Sequence, residues 1–201
     1  MPDSQKHHLP KRRSTRLSDY DYTWAGAYFV TTVTHGRECL FGQVANGEMQ
    51  VNAYGSIATE CWEAIPKHFP LSRLDQFVVM PNHIHGILLL DGPGTTLLDK
   101  RERYPMQAFG RPSGSPLRPQ GPAAASLGAI VGAFKAAASK HINAGRNTSG
   151  APVWQRNYHE HIIRSETDLR RLREYIHLNP VQWELDRENP YTLSKPHGNR
   201  P

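Results

Sequence analysis

The sequence predicts an α+β protein with a ferredoxin-like βαββαβ core, an antiparallel sheet with helices packed on it. Three observations carry this. Four short runs rich in β-branched and aromatic residues alternate with helical patterns in the order strand, helix, strand, strand, helix, strand, helix. An Asn46-Gly47 pair marks a small added hairpin between the first strand and the first helix. Turn chemistry at Pro81-Asn82 joins the second and third core strands as a hairpin.

Each element follows from local chemistry. "AYFVTTVTH", 27–35, reads as a strand. In 39–51, Asn46-Gly47 supplies the two positive-φ positions of a tight hairpin turn. Tyr54, Ile57, Ala58, Cys61, Trp62 and Ile65 recur at helical spacing, and Pro66 and Pro70 close that helix. Residues 73–80 and 83–90 read as two strands joined by turn chemistry at Pro81-Asn82. Residues 91–122, dense in Gly, Pro, Ser and Arg, read as a flexible loop. Leu127, Ile130, Val131, Phe134, Ala138 and Ile142 then form one helical stripe. A strand is expected over 153–163. Ser165 and Asp168, at the N-cap and N3 positions of a capping box, start a final helix that Pro180 ends near Asn179. Three regions follow: a basic N-terminal arm 1–22, one catalytic domain 23–180, and a loosely attached tail 181–201.

Composition narrows the partners. The chain is 38% hydrophobic and 21% charged, ordinary for a soluble domain, and has no apolar run of membrane-spanning length. The N-terminus lacks an apolar signal segment, and Cys39 and Cys61 form no metal-type pair, so a cytoplasmic setting is expected. Of the net charge of +6, residues 1–16 and 100–118 hold +4 each, leaving −2 for the rest. Basic arms of this kind suit a polyanion, nucleic acid first, or else they merely solubilise.

The chemistry centres on "PNHIHGILLL". His83 and His85 lie on one face of a strand, their Cα atoms roughly 6.5–7 Å apart. Two imidazoles so placed can share a divalent ion. The plain alternative for so short a motif is one hydrogen-bonded core histidine and one exposed. In "REYIHLNP", Tyr175 and Asn179 stand four apart on the last helix, flanking its apolar stripe. An amide oxygen suits Mg²⁺ or Mn²⁺, and a tyrosine beside such an ion can attack a phosphodiester. Seen alone, Tyr175 reads first as an ordinary amphipathic core-edge tyrosine. "NYHEHII" offers a rival set, Tyr158, His159 and His161. A third place filled by Ile87 speaks against the H-x-H-x-H of histidine-triad phosphoesterases.

Together "FVVMPNHIHGILLL", "VWQRNYHEHIIRSETDLRRLREYIHLNP", "LGAIVGAFKAAASKHIN" and "RRSTRLSDYDYTWAGAYFVTTVTH" resemble the HUH single-tyrosine transposases, in the REP-associated tyrosine transposase branch. The resemblance covers roughly 12–190. It implies an HUH endonuclease architecture, Tyr175 as nucleophile, and His83, His85 and Asn179 as ligands of Mg²⁺ or Mn²⁺. It implies cleavage of single-stranded or hairpin DNA at REP-like repeats through a 5′-phosphotyrosine, by a monomer or homodimer associated with the nucleoid. A non-catalytic hairpin-binding protein derived from a transposase is the alternative. Lys11, Arg12, Arg13, Arg16 and Lys135 are candidate phosphate contacts. Trp154, Tyr158 and Trp183 are candidates for stacking on unpaired bases, or else packed aromatics.

Overall fold

A computed structural model describes residues 25–91 and 125–191. Within these, a four-stranded sheet is built from β1 (Gly26–Val33), β4 (Ser72–Val79), β5 (His83–Leu90) and β6 (His159–Ile163). The spatial order is β4-β5-β1-β6, with every neighbouring pair antiparallel. That order is the ferredoxin-like arrangement, with β5 inserted between β1 and β4. A separate two-stranded ribbon, β2 (Gly42–Ala45) and β3 (Glu48–Val51), turns at Asn46 and Gly47, whose φ values are 54° and 76°. The expected turn is therefore the one formed.

The two faces of the sheet are covered differently. Strand alternation sends Tyr28, Val30, Ile84, Leu88 and Ile162 to one side. There they pack on α1 (Ala53–Glu63) and α3 (Leu127–Gly145), through Ala58, Trp62 and the predicted stripe Leu127, Ile130, Val131, Phe134, Ala138 and Ile142. Asn52 caps α1 by accepting from the Tyr54 and Gly55 amides, and Ser126 caps α3. The other side carries Ala27, Ile87, Leu89 and Ile163, covered by Ile176, Leu169 and Leu172 of α4 (Glu166–Leu178). Ser165 caps α4 as expected, its oxygen accepting from the Asp168 amide. His83 and His85 share the parity of Ile87 and Leu89, so both lie beneath α4.

Three expectations need correction. The first helix stops at Glu63, and Ile65–His68 forms a separate short α2 with Pro66 in its first turn. The strand foreseen over 153–163 forms only at 159–163. Trp154 makes an isolated bridge with Thr34 beyond the end of β1, and the chain bends away at Arg156 and Asn157 before pairing resumes. Residues 181–190 are not loosely attached. Trp183, Asp186, Glu188 and Asn189 are buried there, and a short 3-10 turn spans Trp183–Leu185. Among the described residues no helix is long and apolar enough to cross a membrane. The loop expected at 91–122 lies, from 92 on, outside the described residues.

Candidate active site

The site forms where the start of β5, the last turn of α4 and the segment after it converge. His83 and His85 are 0% and 4% exposed, with ring centroids 4.4 Å apart. Register sets the neighbours of His85: Thr31 of β1 on one side and Val78 of β4 on the other. The Thr31 hydroxyl lies 2.7 Å from His85 Nδ1, and Asn82 Oδ1 lies 2.9 Å from His83 Nδ1. An amide oxygen only accepts, so Nδ1 of His83 carries its hydrogen and Nε2 presents a lone pair. A ring partner of this kind is what orients a metal-ligating imidazole.

Helix α4 brings the tyrosine. Tyr175 Oη lies 3.2 Å from His85 Nε2, and Phe29 of β1 stacks on the His85 ring at a 5.3 Å centroid distance. Asn179 keeps α-helical backbone angles, φ −57° and ψ −42°, although it precedes Pro180 and proline disfavours them. Its side chain is held by donating to Asp186 Oδ2 at 3.2 Å. The spacing of four between Tyr175 and Asn179 is therefore a real turn of helix, and both reach the histidines.

Asp186 was invisible to sequence reasoning. It sits in the stretch read as a tail, with no periodicity to place it. Its Oδ2 lies 3.9 Å from His83 Nε2. One ligand atom each from His83, His85 and Asp186 fall within 4.8 Å of one another. The only local signal was that "WELDRENP" puts an acid between a tryptophan and an Asn-Pro turn.

Electrostatics follow burial. Desolvation lowers His83 to about 4, with the Asp186 carboxylate opposing it. His85 is pushed well below its ordinary value by burial and then by His83. Both imidazoles are neutral at pH 7. Burial raises the Tyr175 phenol, and the Asp186 charge raises it further. Two buried polar atoms at the centre, His83 Nε2 and Asn179 Oδ1, have no hydrogen-bond partner. Buried acceptors without donors are costly, and a shared cation satisfies them.

An uncharacterized protein of Haemophilus influenzae is 40% identical over 180 residues, which is 90% of this chain and 92% of that one. The chain belongs to that protein's family. No protein-family model matches it. A REP-associated tyrosine transposase solved bound to a REP hairpin superposes with a TM-score of 0.51 at 18% identity, over 83% of this chain and 74% of the other. The chain thus has the REP-associated tyrosine transposase fold expected from its motifs. A candidate transposase from Deinococcus radiodurans gives 0.42 at 15% identity, over 82% and 96% of the two chains, too weak a likeness to argue from.

Within that fold the other expected residues divide. Trp154 is core: 7% exposed, packed on Phe41 and Phe134, with its indole N–H donated to the Lys135 carbonyl. It offers no face to a base. Trp183 is also buried, with its ring 6.0 Å from that of His83. Tyr158 packs on the α1/α3 side, so the sheet separates it from the histidines. This removes the rival set. His159 stands two strands from His85 in the row His85, Thr31, His159, about 10 Å away. His161 is paired with Asp168 at 2.7 Å. Lys135 donates to the carbonyls of Gln155 and Asn157 at 2.5 and 3.1 Å. Lys11, Arg12, Arg13 and Arg16 lie outside the described residues.

Proposed function

We propose that the chain is a metal-dependent single-stranded DNA endonuclease and strand transferase acting at hairpin repeats. One observation carries this: a tyrosine hydroxyl 3.2 Å from a buried histidine pair, beside two buried polar atoms that lack partners. His83, His85, Asn179 and Asp186 would hold the ion. Two neutral imidazoles, an amide oxygen and a carboxylate suit Mn²⁺ or Mg²⁺. A bound ion would supply a Lewis acid that polarises the phosphoryl oxygen and counters the field that keeps Tyr175 protonated.

The residues then divide the work. Tyr175 Oη forms a bond to phosphorus, and the bond from phosphorus to the 3′ oxygen breaks in line. The phenol gives up its proton, the leaving oxygen takes one as a free 3′-OH, and the 5′ phosphate stays on Tyr175. Attack by a second 3′-OH reverses the step, so strands rejoin without ATP. Phe29 and the core beneath α4 fix the direction of the His85 ring. His85 Nε2 serves one partner at a time, so it either meets the Tyr175 hydroxyl or ligates. The arginines and lysines of the N-terminal arm, Lys11, Arg12, Arg13 and Arg16, would grip phosphates, which sets position rather than sequence.

The test uses labelled single-stranded hairpins with Mn²⁺ or Mg²⁺ on a denaturing gel, with repeats from around the gene in the panel. A cleaved strand with a covalent protein–DNA adduct is expected, lost in Tyr175→Phe and with EDTA. Cleavage surviving Tyr175→Phe would assign the attack to water or another group. Tight binding without an adduct on any of the flanking repeats would favour the hairpin-binding alternative.

A further inference from the structure

Asn82, 0% exposed, joins three parts of the site. Its Nδ2 donates to the Glu188 carbonyl at 2.6 Å and to the Arg37 carbonyl at 3.2 Å. Two carbonyl acceptors require the NH₂ group on that side, so Oδ1 must face His83 and accept from Nδ1–H. Its backbone carbonyl accepts from the Thr34 amide at 2.8 Å, at the end of β1. Every polar atom of this buried side chain is therefore used.

The Glu188 carbonyl belongs to the segment that presents Asp186. That segment is organised around Asp186: Oδ1 accepts from the Glu188 amide at 2.6 Å, the carbonyl accepts from the Asn189 amide at 3.1 Å, and Asn189 Nδ2 donates to the Trp183 carbonyl. Besides the Asn179 bond to Asp186, it is held on its β1–β5 side at two further points. One is Asn82. The other is Arg37, which donates to the Arg187 carbonyl at 2.8 Å and pairs with Glu188 at 3.3 Å. Among the described residues Arg37 makes no hydrogen bond or ion pair with either histidine or with Asp186, and acts on His83 only through its charge, so the two pins are separable by mutation.

We propose that Asn82 is a positioning residue with two linked duties: it sets the His83 tautomer, and it docks the segment that carries Asp186. The inference rests on the metal reading given under Proposed function only for its effect on affinity. Among the described residues no other side chain is hydrogen-bonded both to a site histidine and to a backbone carbonyl of the Asp186 segment. Alanine strands an imidazole N–H and two carbonyls. Aspartate keeps the acceptor for His83 but turns an oxygen against the carbonyls of Arg37 and Glu188, separating the duties.

The full-length chain is compared with Asn82→Ala, Asn82→Asp and Arg37→Ala by three measurements. These are the ¹⁵N imidazole spectrum of His83 without metal, hydrogen exchange at the Glu188 and Asn189 amides, and Mn²⁺ titration. The wild type should show Nδ1–H. Asn82→Ala should populate Nε2–H, exchange faster at both amides, and bind Mn²⁺ about 10- to 100-fold more weakly, the range for lost partners of metal ligands. Asn82→Asp should keep Nδ1–H yet exchange faster. Arg37→Ala should exchange faster with an unchanged His83 spectrum. Asn82→Ala with wild-type tautomer, exchange and affinity overturns the proposal, as does Asn82→Asp with wild-type exchange if the alanine variant does not fold. A wild type that binds no Mn²⁺ while tautomer and exchange still follow Asn82 overturns the metal reading and leaves the positioning role standing.

Discussion

Tyr175 Oη and His85 Nε2 meet at 3.2 Å across 90 residues of sequence, one delivered by the last turn of α4 and the other by the start of β5. The phenol sits in the field of Asp186, which raises its pKa beyond the effect of burial. Asp186→Asn should therefore bring the Tyr175 pKa down in the metal-free protein. It should also weaken Mn²⁺ binding at least tenfold, because a charged ligand becomes neutral. Tyrosinate absorbance against pH, taken as a difference from Tyr175→Phe, reads the first effect. A Mn²⁺ titration reads the second. An unmoved phenol would place Asp186 outside the site's field.

Stability should fall on mild acidification. His83 titrates near 6.5 when unfolded and about 4 when folded. Between those values the unfolded chain binds the extra proton, so the contribution of a neutral buried His83 is complete above pH 6.5. It is lost as pH falls toward 4, by about 3 kcal/mol at most for this one group. His85 shifts the same way and adds to the loss. Calorimetric Tm values from pH 7.5 to 4.5, taken in EDTA, should decline steeply below pH 6.5. Replacing both histidines with asparagine should flatten the decline.

Lys135 separates a structural from a DNA-binding role. Its ammonium, lowered to about 8 by burial, ties down the Gln155 and Asn157 carbonyls ahead of β6. Lys135→Met should cost about 1 kcal/mol through those carbonyls. The slope of log affinity for DNA against log salt should stay unchanged. A slope reduced by about one would instead mark a phosphate contact.

Gly86 is where the sheet lets Trp62 close in. A Cβ there would meet Trp62 Cζ2 at 2.3 Å and Phe77 Cβ at 3.1 Å. Both are fixed core groups, so Gly86→Ala should cost about 1–3 kcal/mol, the range for overpacking. Urea unfolding checks this. A shift toward higher urea would show that Trp62 has room to move.

Much of this protein was legible from its sequence because local patterns carry it. The stripe from Leu127 to Ile142 specified α3, Ser165 specified the start of α4, and Asn46-Gly47 specified the ribbon turn. The alternation in "HIHGILLL" put both histidines on one face. Those are period and turn effects, set within a few residues of each position. Tertiary structure alone decided the rest. Asp186 reaches His83 because residues 181–190 fold back and bury Trp183, a contact with no repeating pattern to announce it. Asn82 reads as an ordinary turn residue until its amide is seen spanning Arg37 and Glu188. Trp154 reads as a stacking platform until Phe41 and Phe134 enclose it. Each depends on what stands across the gap from a side chain, and chain neighbours do not determine that.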